Sequence, residues 1–283
     1  MGYMGRNSKA KKRSYCEIRD GIQSTLESRK KFCCDYIPFG KKWSVPDGNF
    51  KYRRKFPESL ATGFWRTVLF LFSPILLKVW FGAKVTGREN LKELKNRGAL
   101  CVCNHIDYLD TLFVRQAVGH FRSYHTISQQ NNKGGALGHI MRHGGTLPFS
   151  QNYTAMKNMT AEMERLLKRG KIINFYPEKA MWPAYQKPRP MQDGAFYYAV
   201  KFGVPVIPVF CTFEKRKNGS IKRLRINILK PVYADESLQK RQRIRQMKRI
   251  AEALWKTQYE RAYNKKLEYI TLPSLPAQEK EVL

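Results

Sequence analysis

Acidic residues are scarce. The 283-residue chain has 22 Asp and Glu against 53 Lys and Arg, a formal net charge of +31. That imbalance excludes a cationic target surface and favours an anionic one: a phospholipid leaflet, an acidic carrier protein, a phosphorylated ligand or nucleic acid. Long apolar runs are also missing. The most apolar segment, 64–81, has only eleven uncharged residues between Arg66 and Lys78, whereas a bilayer-spanning helix needs about twenty. No apolar run follows the basic start, so no secretory signal is expected, and Arg6 stands where myristoylation wants Ser or Thr. The six cysteines include no Cys-x-x-Cys pair and no Cys/His quartet with zinc spacing, which leaves a reducing compartment as the natural setting.

What is present is a foldable core. Hydrophobic residues make up 42% of the chain, and the length fits one large α/β domain. Residues 1–57 form a basic, Gly/Pro-punctuated arm, expected to be partly disordered or to dock on a surface. Its basic clusters fall at 9–13, 29–31 and 53–55, with Tyr36, Phe39, Trp43, Phe50, Tyr52 and Phe56 interleaved. Within 64–81, Pro74 implies a break, giving two short helices. These either lie at a membrane interface, with Trp65 and Trp80 near the ends, or are ordinary buried helices. The basic flanks favour the anionic leaflet.

From residue 83 the pattern alternates. Strand-like runs fall at 83–86, 99–103, 123–128, 146–149, 172–176, 204–211 and 224–229. Helix-like runs include 154–168, with Met156, Met159, Met163, Leu166 and Leu167 at 3–4 spacing, then 193–202 and 237–263. The fold class expected is α/β: a mixed, mostly parallel sheet flanked by helices, preceded by the apolar helical segment. The domain spans 58–270, and 271–283 is a short tail.

The chemistry concentrates in residues 99–110, ALCVCNHIDYLD. An apolar strand ends, Asn104 and His105 follow, and Asp110 stands five residues further on. Ligand clefts open at strand ends in α/β sheets. A neutral imidazole there can take a proton from a hydroxyl, provided a carboxylate holds its other nitrogen. Alone, a His-x4-Asp spacing arises readily by chance. Three further features follow in order: Gly144 and Gly145 leading an apolar run to Phe149, a Pro-bounded turn carrying Glu178, and the strand 204–209 with two prolines.

In this order the sequence resembles the lysophospholipid acyltransferases of the glycerol-phosphate acyltransferase superfamily, which includes 1-acylglycerol-3-phosphate O-acyltransferase. Asn104, His105 and Asp110 match the family's Asn-His-x4-Asp block. The run 145–149 sits where the glycine-led second block belongs, Tyr176, Pro177 and Glu178 match the start of the third, and residues 206–209 match the fourth. The resemblance covers about residues 60–235. It implies that His105 is the general base, that Asp110 orients it, and that Asn104, Gly145 and Glu178 belong to the substrate site. A hydroxyl of a lysophospholipid acceptor, foremost 1-acylglycerol-3-phosphate, then attacks the thioester of an acyl-CoA or acyl-carrier protein. No metal and no other cofactor is implied. The protein is expected to sit peripherally on the cytoplasmic face of a membrane.

One departure bears on the acceptor. The family's third block reads Glu-Gly-Thr-Arg; here it reads Glu178, Lys179, Ala180, Met181, so the arginine assigned to the acceptor phosphate is absent. Lys179, Lys187 and Arg189 are the basic residues placed to replace it, or the acceptor is a non-phosphate lipid or glycan hydroxyl. Asp107 adds a second carboxylate beside His105. A nucleic-acid-binding protein is the reading from another class, but no RNP, zinc-finger or helix-turn-helix signature accompanies the charge, so no specific nucleic-acid partner is expected. His139 and His143, four residues apart, lack a third metal ligand in the sequence around them.

Overall fold

The computed structural model describes residues 14–35, 45–53 and 55–271. The basic cluster at 9–13, the aromatic residues Tyr36, Phe39 and Trp43, and nearly all of the C-terminal tail lie outside the described residues.

Seven strands form one sheet in the order β1-β7-β6-β2-β5-β3-β4. They are β1 (Lys84–Thr86), β2 (Ala99–Cys103), β3 (Ser123–Ile127), β4 (Thr146–Pro148), β5 (Ile172–Phe175), β6 (Val206–Lys215) and β7 (Ile221–Ile228). β6, β2, β5, β3 and β4 run parallel; β7 returns antiparallel to β6, and β1 runs parallel to β7. The centre is β2, paired with Ile172–Phe175 on one side and with β6 on the other. All five of its residues are buried, as a strand covered on both faces requires.

Alternate side chains of β2 enter two cores, as the period of two dictates. Leu100 and Val102 join Met159, Met163, Phe196, Phe210 and Trp255. Ala99, Cys101 and Cys103 join Leu77, Phe81, Phe113, Val114 and Ile207 on the other face. The first layer comprises α5 (Tyr153–Lys168), α6 (Gly194–Phe202) and α7 (Lys240–Tyr263); the second comprises α2 (Glu58–Phe81) and α3 (Asp110–Val118). In α5 the Asn152 side chain caps the Ala155 N–H, and Ala155, Met159, Met163 and Leu166 make the buried stripe. The helix α4 (Gly135–His143) leads into β4, and α1 (Tyr15–Ser28) precedes the domain.

One expectation fails. Residues 64–81 are not two short helices but the greater part of α2, with Pro74 inside it. Proline removes only its own N–H, the donor to the carbonyl of Phe70. Phe70 and Leu71 are exposed, so this deficit lies away from the buried stripe of Arg66, Ser73, Leu77 and Phe81, which continues across the proline. Gly82, at φ +53°, ends the helix in the left-handed conformation. Because α2 runs through its flanking charges, its 24 residues (mean hydropathy 1.6 over the best window) are long and apolar enough to cross a membrane by length and composition. The eleven-residue count understates it.

Candidate active site

Three residues at the end of β2 take distinct positions. The Asn104 side chain behaves as an extra peptide group: its Nδ2 donates to Cys211 O at 3.1 Å, and its Oδ1 accepts the Cys211 N–H at 2.8 Å. It therefore extends the β2–β6 ladder sideways and is itself buried. His105 turns out at the next position, its side chain 23% exposed. Asp110 opens α3, where the helix N-terminus favours a negative charge. Its Oδ2 accepts the Ile106 N–H at 2.7 Å and lies 2.7 Å from His105 Nδ1. With Nδ1–H donating to that carboxylate, Nε2 is the imidazole's basic nitrogen. The Tyr176 ring stacks on the His105 ring, centroids 4.2 Å apart, which fixes the plane of the imidazole.

The loop after β5 closes around the same histidine. Glu178 Oε2 accepts the His105 N–H at 3.0 Å, and Oε1 accepts the Arg189 N–H at 2.9 Å. The Arg189 guanidinium pairs with Glu178 at 2.6 Å, with both side chains 1% exposed. The same guanidinium donates to Phe32 O and Ala180 O and lies over the Trp182 ring. The Trp182 N–H and Ala184 N–H donate to His105 O and Ile106 O. Arg189 is thus committed to the loop's interior. Lys187 is also engaged, its Nζ 2.7 Å from Glu27 Oε1. Lys179, in the left-handed region at φ +69°, remains exposed at the mouth of the site.

Gly145 is not brought to this group. Its carbonyl accepts the His125 N–H at the start of β4, and β4 runs parallel to β3 and β5. Gly145 therefore lies at the N-terminal end of these strands, while His105 and Glu178 follow the C-terminal ends of β2 and β5. Arg66 and Arg115 both donate to the Gly144 carbonyl there. The His139 and His143 rings lie against each other at a tilt, centroids 4.2 Å apart, and among the described residues no three His, Cys, Asp or Glu side chains gather as a metal set.

The N-terminal contribution was missed by the reading of hydrophobic patterns. α1 buries Arg19, Gln23 and Glu27 at every fourth position; Arg19 donates to Gly219 O in the turn between β6 and β7, and Gln23 and Glu27 face the loop. Gln23 donates to Pro183 O, and Glu27 accepts from Tyr185 and Lys187. A polar stripe of this kind is invisible to hydrophobic periodicity. The available signal is the capping box, in which Ser14 and Glu17 satisfy each other's N–H. Beyond α1, Cys34 O accepts the Trp182 indole N–H at 2.7 Å.

Burial lowers the His105 pKa to about 4, reinforced by Arg189 and opposed by Glu178, Asp35 and Asp107. The imidazole is therefore neutral at physiological pH and ready to accept a proton. Asp107 is raised to about 6 by burial and by Asp110. Burial raises Asp110 as well, opposed by the Asp107 and Ile106 N–H groups.

This geometry places a neutral imidazole backed by a carboxylate at the mouth of a parallel sheet, where it can take a proton from a hydroxyl. Residues 82–212 match the family model Acyltransferase. That span carries an acyltransferase domain, and the protein is an acyltransferase. Its fold matches the crystal structure of the 1-acyl-sn-glycerophosphate (LPA) acyltransferase PlsC from Thermotoga maritima, with a TM-score of 0.51 and 16% identity over 84% of this chain and 94% of that one. No curated protein sequence matches the chain.

Proposed function

We propose that the protein moves a fatty acyl group from a thioester, acyl-CoA or acyl-carrier protein, to a hydroxyl of a lysophospholipid in membrane-lipid synthesis. The observation that carries this reading is the 2.7 Å contact between His105 Nδ1 and Asp110 Oδ2 at the end of the central strand. His105 Nε2 takes the hydroxyl proton as the acceptor oxygen attacks the thioester carbonyl. The tetrahedral intermediate collapses, the C–S bond breaks, and the imidazolium returns its proton to the departing thiolate. Asp110 holds the tautomer and stabilises the imidazolium. Glu178 and Tyr176 are positioning residues for the histidine.

The acceptor and the product are lipids, and α2 supplies a contact with their phase. It exposes Phe64, Phe70, Leu71, Phe72, Ile75 and Trp80, large apolar side chains of the kind that enter a membrane interface. A chain of net charge +31 adds attraction to an anionic leaflet. We read the protein as peripheral on the cytoplasmic side.

The test is transfer of labelled acyl groups, from acyl-CoA and from acyl-carrier protein, to lysophospholipids in anionic vesicles. His105→Ala is expected to reduce transfer by about 10²-fold or more while keeping the wild-type circular dichroism spectrum. Undiminished transfer by that variant overturns the mechanism.

A further inference from the structure

Two helices with outward apolar residues meet at one hairpin. The turn between β6 and β7 is closed by the Arg216 N–H, which donates to Ser220 O at 2.8 Å. The last turn of α2 is fastened to it, since the Arg216 guanidinium donates to Trp80 O at 3.0 Å. The first turns of α1 are fastened to the same hairpin. The Cys16 thiol donates to Asn218 O, and Arg19 donates to Gly219 O at 3.2 Å. Beside these anchors α2 exposes Val79 and Trp80, and α1 exposes Ile18 and Ile22. α1 is thus inverted. It turns Arg19, Gln23 and Glu27 inward and shows isoleucines outward, the reverse of a helix whose outer face meets water.

The hairpin itself is cationic. Residues 214–223, EKRKNGSIKR, carry five cations and one carboxylate, and Lys215, Arg216, Lys217, Lys222 and Arg223 are exposed. Glu214 pairs with Arg223 at 3.6 Å, and Asp20 of α1 pairs with Arg19 at 2.9 Å and with Lys215 at 3.8 Å. Glu17, also exposed on α1, accepts the Ser14 N–H at 2.7 Å in the cap. Lys217 and Lys222 stand outside these pairs. A nucleic acid would match the cations and leave the isoleucines and Trp80 in water. A leaflet of anionic lipid matches both, with phosphates against the cations and the acyl boundary against the apolar side chains.

We infer that the β6–β7 hairpin binds the phosphates of anionic phospholipids, and that it forms one docking platform with Ile18 and Ile22 of α1 and the Trp80 end of α2. This rests on the membrane reading above, extends it to two further elements and names the lipid chemistry. The platform is joined to the site. Gln23 and Glu27, on the inner face of α1, hold Pro183 and Lys187 of the loop around His105 at 3.0 and 2.7 Å.

The experiment is flotation of the full chain with vesicles of phosphatidylcholine alone and of phosphatidylcholine mixed with phosphatidylglycerol. Wild type is expected to bind the anionic vesicles about 10²-fold more tightly. Lys217→Gln with Lys222→Gln is expected to bind the anionic vesicles about thirtyfold more weakly and the neutral ones as wild type does. Ile18→Ser with Ile22→Ser is expected to weaken binding to both by about tenfold. Both variants alter exposed side chains, so the wild-type melting temperature is expected to persist.

Equal binding of wild type and the lysine variant to anionic vesicles overturns the hairpin assignment. If Phe70→Asp with Phe72→Asp still abolishes flotation, the docking of α2 stands. An isoleucine variant that floats as wild type does overturns the place of α1 in the platform. A lysine variant that loses both vesicle types alike, or melts well below wild type, reveals a structural role for these lysines and also overturns the assignment. Flotation of wild type with neither vesicle overturns this inference and the membrane reading together, and leaves acyl transfer untouched.

Discussion

Glu178 accepts the backbone N–H of His105 at 3.0 Å, so a carboxylate 73 residues away sets the position of this histidine. The same group is the buried partner of Arg189. Removing one member of such a pair leaves the other charged and desolvated, at a cost of about 3–5 kcal/mol. Glu178→Gln is therefore expected to lower the melting temperature markedly and to lose acyl transfer even where the variant is folded. Thermal denaturation beside the transfer assay separates the two effects.

The lowered pKa of His105 predicts a displaced acid limb. The native imidazole stays neutral until the pH falls to about 4, whereas an unperturbed histidine is half protonated near 6.5. The kcat/KM of acyl transfer is expected to hold between pH 7 and 5 and to fall toward 4. For stability the sign follows from proton binding. Between about 4 and 6.5 the unfolded chain takes up a proton at His105 that the native state refuses, so this contribution is lost as the pH drops. Asp107, raised to about 6, works oppositely, and its contribution falls as the pH rises from 3.8 to 6. A kcat/KM profile with a half-point near 6.5 would contradict the burial argument.

Gly145 tests the second block. Its φ is +98°, and a Cβ there would stand 2.5 Å from Arg66 Nη1 and 3.1 Å from the Tyr124 ring. Gly145→Ala is expected to cost about 1–3 kcal/mol in unfolding free energy with little change in KM. A raised KM at unchanged stability would return this glycine to the substrate site.

The exposed face of α2 predicts a membrane phenotype. Replacing Phe70 and Phe72 with Asp, a pair exposed at 46% and 65%, is expected to abolish flotation with anionic vesicles. Turnover of a water-soluble short-chain acceptor should survive. Equal flotation of both proteins would refute docking through this helix.

Much of the architecture was legible because it follows periodicity. The run 99–103 is β2 without adjustment, and Met159, Met163 and Leu166 mark the buried face of α5. The His105–Asp110 pair was legible from its place at a strand end together with the three ordered features that follow it, and a strand end followed by a helix start turns the chain back so that the two side chains meet. Other parts were not. Pro74 reads as a break in one dimension, but α2 tolerates it where the adjacent face is exposed. Lys187 and Arg189 read as a loose basic loop; the partner of Lys187, Glu27, is 160 residues away, and the partner of Arg189, Glu178, is 11 residues away across a loop whose path periodicity does not reveal. α1 was hidden because the stripe that it buries is polar.

Glu27 has a consequence for modularity. It accepts from Tyr185, from Lys187 and from the Ile270 N–H, so one carboxylate fastens the head of the chain, the third-block loop and the tail. The segment shared with the family, residues 82–212, is therefore not a self-sufficient cassette. Transplanted alone into a related enzyme, it would arrive with His105 and Asp110 and without the buttress that shapes the loop over them.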